Sequence, residues 1–326
     1  MKGSNVLLVD TNRGSVPIYK YLESLGCNIT VVGSNPNEPL AKISKNYLKL
    51  DYSDFPKMED HLDNNLYDFL IPGCTDLSYK ICSLLNKGQF AGLDTFQNTE
   101  TINSKDKFRS LCVRLNIPIP KVLSIEESKN YESVIVKPID SFSGRGITIL
   151  KNSSRKKIEK ALFDAKEVSI SQEALIEEYV EGQLYSYSAF IEDKDIVASF
   201  CVQEDSVQDQ FAVDTSKVVN NLSSTIIKEL DRILIDIYDD LNLVNGLIHT
   251  QLIVKDNQFW IIEMTRRCPG DLYPLLIEYS TDYEYAASYV APFIGKRINP
   301  FMNDKIDHKL IRHTISSKSK DNFWGM

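Results

Sequence analysis

A chain of 326 residues, 43% hydrophobic and 25% charged, is long enough for about two globular domains and is neither disordered nor fibrous in composition. Its 45 acidic side chains outnumber 37 basic ones, and the formal charge of -8 argues against a general binder of nucleic-acid backbones. A local basic groove for a small anion stays open. The first apolar run, Val6 to Val9, is too short for the core of a secretion signal, and no uncharged stretch reaches the length of a membrane helix. The six cysteines are scattered without a CxxC pair, which favours reduced thiols. The expectation is a cytoplasmic protein with neither membrane nor nucleic-acid partners.

Strand and helix signals alternate over the first hundred residues. Val6 to Asp10 reads as a strand, followed by the polar turn Thr11-Asn12-Arg13-Gly14. Ile18, Tyr21, Leu22 and Leu25 then recur at helical spacing before Gly26. Asn28 to Gly33 and Tyr67 to Pro72 are further strands, so the region reads as a parallel, doubly wound sheet whose first turn faces a ligand. That turn lacks G-x-G-x-x-G, which weakens a dinucleotide-binding reading. Later helices begin near Ser104, Ser154 and Ser224, the first carrying Phe108, Leu111, Cys112 and Leu115 and ending at Ile117-Pro118-Ile119-Pro120. Leu310 to Ile315 is a strand-like run near the C-terminus.

Four segments carry chemistry. The strand Ser133 to Lys137 leads into Ser141-Phe142-Ser143-Gly144-Arg145-Gly146, a loop whose glycines let backbone N–H groups approach a phosphate. A surface hairpin is the plain alternative. Ile176-Glu177-Glu178-Tyr179-Val180-Glu181-Gly182 reads as a strand and a turn. Gly246 to Val254 and Phe259 to Arg267 alternate around Asp256-Asn257 as a β-hairpin. If Asp256 to Gln258 form a three-residue loop, Gln251 and Glu263 face each other, with Thr265 farther along that face. Such hard oxygen ligands suit Mg²⁺ arriving with phosphates; an exposed polar sheet face is the bland reading. The fourth segment is Asp106-Lys107 at a helix start.

In this order the segments resemble the ATP-grasp superfamily, in the branch of biotin carboxylase, carbamoyl phosphate synthetase and the carboxylate–amine ligases, over about residues 1 to 300. The resemblance implies an α/β chain: an N-terminal doubly wound parallel sheet domain (1–98), then a two-subdomain α+β ATP-grasp fold (99–180 and 181–326). It implies an ADP-forming ligase using ATP and Mg²⁺, with Mn²⁺ as an alternative, that joins a small carboxylate such as an amino acid to an amine through an acyl phosphate. A homodimer is compatible with it. By the same resemblance Lys107 and Lys137 hold the phosphates and Ser143, Gly144, Arg145 and Gly146 cover them. Glu177, Glu178, Tyr179 and Val180 form the adenine hinge. Gln251, Glu263 and Thr265 hold the metal, and Arg267, with Lys137, serves phosphoryl transfer. Arg266, Arg267 and Asp271 are candidates for positioning a zwitterionic substrate.

The sequence departs from the family at three points. Leu184 stands where a ribose-contacting Glu is usual, with Glu181 as a substitute; Thr265 stands for an Asn; the loop has only two glycines. Two rival functions remain, a catalytically silent nucleotide binder and a nicotinamide-dependent oxidoreductase.

Overall fold

The computed structural model describes residues 1–326 except 141–143, 207–210, 212, 302–305, 307–308 and 315–326. The chain begins with β1 (Asn5–Val9), α1 (Val16–Ser24), β2 (Asn28–Gly33), α2 (Pro39–Ile43), β3 (Asn46–Lys49), α3 (Phe55–Asp63), β4 (Phe69–Pro72) and α4 (Asp76–Leu85). The four strands pair in parallel in the order β3-β2-β1-β4. Val6 to Val9 are fully buried, as expected of a strand covered on both faces. The strand order reverses between β1 and β4, so their C-terminal ends flank the crevice where open α/β sheets present ligand sites.

Next come α5 (Phe96–Asn103), α6 (Lys105–Arg114), β5 (Val122–Leu123), β6 (Ser133–Pro138), β7 (Thr148–Lys151), α7 (Arg155–Val168) and β8 (Ala174–Glu178). The strands make an antiparallel sheet, β5-β8-β6-β7, against which Ile158, Ala161 and Ala165 of α7 pack. Helix α6 stops before the Pro118 expected to end it. Asn116 turns left-handed at φ 54°, and the Ile117 N–H returns to the Cys112 carbonyl at 2.8 Å.

The remaining elements are β9 (Gln183–Glu192), β10 (Asp195–Asp205), β11 (Thr215–Val219), α8 (Ser224–Asp240), β12 (Gly246–Lys255), β13 (Gln258–Thr265), α9 (Tyr273–Thr281), α10 (Tyr285–Val290) and β14 (Arg312–His313). They form the six-stranded sheet β13-β12-β9-β10-β11-β14. One face, with Tyr185, Tyr187, Ile248, Leu252 and Ile261, packs on α8 and on Phe108 and Leu111 of α6. The other face turns toward α9, α10 and the N-terminal sheet. Of the strand-like run at 310–315, only Arg312 and His313 pair as a strand among the described residues.

Candidate active site

Lys137 on β6 and Glu177 on β8 project from the same sheet face, because Ile135 stands directly opposite Glu177. Both are buried, and the Lys137 Nζ pairs with a Glu177 oxygen. The other Glu177 oxygen accepts from Arg109 Nε at 2.6 Å. Lys105, at the start of α6, donates to the Ile139 carbonyl at 3.0 Å and feels the charges of Glu263, Asp140 and Glu177. Burial pulls the ammonium groups of both Lys137 and Lys105 below the usual lysine range, with Glu177 opposing the shift in Lys137. Lys137 and Arg109 thus share one buried carboxylate, and the buried Arg109 Nη1 and Nη2 have no hydrogen-bond partner among the described residues. Such a surplus of buried positive charge calls for an anion.

Lys107 lies elsewhere. It is half exposed and pairs with Glu100 at 3.3 Å, so the structure replaces it by Lys105 as the lysine facing Lys137. Helical phase explains the exchange. At about 100° per residue, Lys105 falls within the arc of Phe108, Arg109 and Cys112, whereas Lys107 falls outside it. That phase is readable in the sequence.

The loop after β6 is anchored by Asp140, which accepts from Ser169 Oγ (2.6 Å), Ile170 N (2.9 Å) and Ser171 N (2.8 Å). Ser143, with Ser141 and Phe142, lies outside the described residues. Gly144 and Gly146 adopt φ of 70° and 75°, and Arg145 between them is exposed. The Gly144 backbone packs on Phe211, where an added Cβ would come within 2.4 Å of the phenylalanine Cβ, so this loop meets the β10–β11 connection.

The hinge departs in part from expectation. Glu177 spends its side chain on Lys137 and Arg109, below the surface. Glu178 N donates to Lys121 O and Tyr179 N to Ser133 O, so both N–H groups are committed to the sheet. Val180, past the strand end, makes no backbone hydrogen bond to another described residue, which leaves its groups available.

Gln251 and Glu263 do stand opposite each other, for a different reason than expected. The turn contains two residues, Asp256 and Asn257 (φ 49° and 61°), and Lys255 pairs with Gln258. That register alone would set Ile262 against Gln251 and turn Glu263 to the α8 side. A bulge between the Leu252–Ile261 and Gln251–Glu263 pairs moves Glu263 across. Beside them lies Glu204 of β10, unmarked in the sequence reading. It accepts from Ser186 Oγ at 2.8 Å and Gln251 Nε2 at 2.9 Å, and burial pushes its carboxyl up to about 7. Its alternation with Phe200 and Val202 was the available signal. Glu204 also pairs with Leu184, whereas Glu181 is exposed in the turn.

Thr265 follows Glu263 by two residues on β13 and is engaged by its neighbours. Its hydroxyl donates to Asp76 Oδ1 at 3.0 Å and accepts from Arg267 N at 3.3 Å. Arg267 reaches the same carboxylate through Nε (2.9 Å) and Nη2 (3.4 Å), so the loop after β13 is tied to the start of α4. Although burial opposes it, the Arg267 charge holds the Asp76 carboxyl below the usual range. Arg266 is buried and donates to Asp94 (2.7 Å) and to the carbonyls of Leu247 and Val244. The arginine that does face Glu204 is Arg312 of β14. It lies 3.7 Å from Asp271, and its buried Nε has no partner among the described residues. The β1 and β4 ends close on this region, for a Cβ on Gly14 would stand 3.2 Å from both Cys74 Cβ and Gly270 Cα.

Residues 131–273 match the family model of the ATP-grasp domain. A search of the curated proteins finds no match. Among solved structures, phosphoribosylglycinamide synthetase from Anaerococcus prevotii superposes with a TM-score of 0.76 at 20% identity, covering 98% of this chain and 82% of that one. The L-amino acid ligase from Bacillus licheniformis gives 0.71 at 14% identity, covering 90% and 75%. The biotin carboxylase domain of 2-oxoglutarate carboxylase from Hydrogenobacter thermophilus, a dimer in complex with MgADP and bicarbonate, gives 0.74 at 14%, covering 91% and 71%. At these identities the likeness is one of fold.

Proposed function

From the ATP-grasp domain over residues 131–273 we propose an ATP-dependent carboxylate–amine ligase. The observation that carries this reading is the buried pair Arg109 and Lys137 on the Glu177 carboxylate, with half-buried Lys105 beside Lys137 and the Gln251–Glu263 pair on the neighbouring sheet. The orphaned Arg109 nitrogens fit a polyphosphate, and the acid–amide pair fits Mg²⁺, or Mn²⁺, entering with it. In this reading the three sheets correspond to segments 1–98, 99–180 and 181–326.

The carboxylate of the substrate attacks the γ-phosphate of ATP and forms an acyl phosphate and ADP; an amine then displaces phosphate to give the amide. Lys105, Lys137 and Arg109 offset charge on the phosphates, the largest contribution a protein makes to phosphoryl transfer. Lys137 exchanges Glu177 for phosphate oxygen. When bound, the metal supplies charge neutralisation between the phosphates, and Gln251 and Glu263 hold it there. Arg267 keeps the loop after β13 against Asp76, beside the crevice at the β1 and β4 ends, and faces the transferred group.

An amino acid or similar small carboxylate fits the region best. Arg312 offers a buried, unbonded Nε to a carboxylate, and Asp271, near it, a counter-charge for an ammonium. The net acidity of -8 speaks against nucleic acid, and no helix among the described residues is long and apolar enough to cross a membrane.

The test is ADP formation with pooled amino acids and amines, with hydroxylamine added to trap an acyl phosphate as hydroxamate. Carboxylate-dependent hydroxamate supports the ligase. ATP binding without ADP release from any pool would leave a silent binder, a reading favoured by the engaged Thr265 hydroxyl. Thermal stabilisation by NADH in place of adenine nucleotides would return the oxidoreductase.

A further inference from the structure

Gln251 sits opposite Glu263 on the cleft face of the six-stranded sheet, and its amide is held from the other side. A glutamine amide has one donor end and one acceptor end, and only the oxygen can ligate a hard cation. Left alone, such an amide turns either end to a metal. Ionised Glu204 removes that ambiguity, because a carboxylate only accepts: its Oε2 takes Gln251 Nε2 at 2.9 Å. Its Oε1 is held in turn by Ser186 Oγ at 2.8 Å, and Ser186 is the register partner of Gln251 on β9. Ser186 Oγ lies 3.2 Å from the Tyr273 hydroxyl, which extends the chain of contacts to α9. Both Glu204 oxygens are thus engaged, and the residue is only 6% exposed, which suits a support better than a ligand.

We infer that Glu204 is a positioning residue that fixes the amide of Gln251 with Oε1 toward Glu263, so that a neutral glutamine serves as a metal ligand. This rests on the assignment of Gln251 and Glu263 as the metal pair. Support of this kind behind a ligand changes metal affinity about 10- to 100-fold when removed. The device also accounts for two oppositely built neighbours on one sheet face. An amide at 251 tolerates a buried carboxylate beside it, whereas a carboxylate at 251 would face Glu204 as a like charge.

The experiment compares ADP affinity with and without Mn²⁺ by calorimetry, which needs no knowledge of the other substrates. Metal-free ADP affinity and melting temperature report structural damage; the tightening by Mn²⁺ reports the site. Gln251→Ala should lose most of that tightening, as the metal assignment requires. Glu204→Met removes the acceptor at similar volume and should cost about tenfold of the tightening, with metal-free affinity and melting temperature close to wild type. Gln251→Glu alone should also weaken it, through repulsion from Glu204. The double variant Glu204→Met/Gln251→Glu should recover it to within about threefold of wild type, since a carboxylate presents oxygen at either end and needs no orienting partner. Full tightening in Glu204→Met, or a double variant no better than the worse single, overturns the inference while leaving the metal pair in place. Full tightening in Gln251→Ala overturns the metal assignment and the inference with it.

Discussion

Two lysines, two positions apart on one helix, illustrate how finely the site depends on side-chain direction. Lys105 shares the buried arc of α6 with Arg109, while Lys107 reaches outward to Glu100. If Lys105 contacts phosphate, Lys105→Ala removes a charge-assisted hydrogen bond of about 1.5–3 kcal/mol, or roughly ten- to a hundredfold in ATP affinity. Lys107→Ala, which breaks only an exposed ion pair, should stay within about twofold. Titration calorimetry on both variants decides; equal losses would remove Lys105 from the site. Lys137→Ala should lose nucleotide affinity by a similar factor. It also leaves Glu177 with Arg109 as its remaining partner, so the melting temperature must be followed alongside.

Among the elements, the connection from β8 to β9 is held to a narrow space. A Cβ on Gly182 would lie 2.6 Å from the Val254 carbonyl oxygen and 2.6 Å from Ile253 Cγ2, so only glycine lets the hinge pass β12 at this distance. Gly182→Ala should destabilise the fold by about 1–3 kcal/mol and weaken ATP through a displaced Val180, measured by thermal melting and nucleotide titration. An unaltered melting temperature would show that the hinge yields freely. The β12–β13 hairpin displays the same economy: its two-residue turn sets one register, and the bulge resets it where Glu263 must face the cleft.

The whole molecule is joined across the crevice by Asp76, at the start of α4, and Arg267, after β13. Asp76→Asn should cost about 2 kcal/mol, within the range for hydrogen bonds to charged groups. The sign with pH follows from linkage. Arg267 lowers the folded-state pKa of Asp76 below its unfolded value, so its contribution is complete above the unfolded pKa and fades as pH falls through the folded one. The stability gap between wild type and Asp76→Asn should therefore be constant from neutral pH to about pH 5 and close below about pH 4. Urea denaturation across that range measures it; a gap that widens toward acid would contradict the pairing.

The sequence by itself determined the alternation of strands and helices, the parallel first sheet, and the order of motifs by which the chain resembles the ATP-grasp superfamily. Each of these rests on local periodicity or on residue types a few positions apart, such as Val6 to Val9 buried as one run. The opposition of Gln251 and Glu263 was also within reach, though through the wrong turn length, because a bulge leaves no mark in an alternating pattern. Tertiary structure alone decided that the Thr265 hydroxyl belongs to Asp76, and that Arg266 is buried on Asp94 while Arg312 returns from the far edge of the sheet. Each of those outcomes depends on a partner distant in the chain: Asp76 for Thr265 and Arg267, Asp94 for Arg266, and Glu177 for Arg109 and Lys137. A charged side chain takes whichever counter-charge folding brings within reach when it leaves water, and no spacing along the sequence encodes that choice.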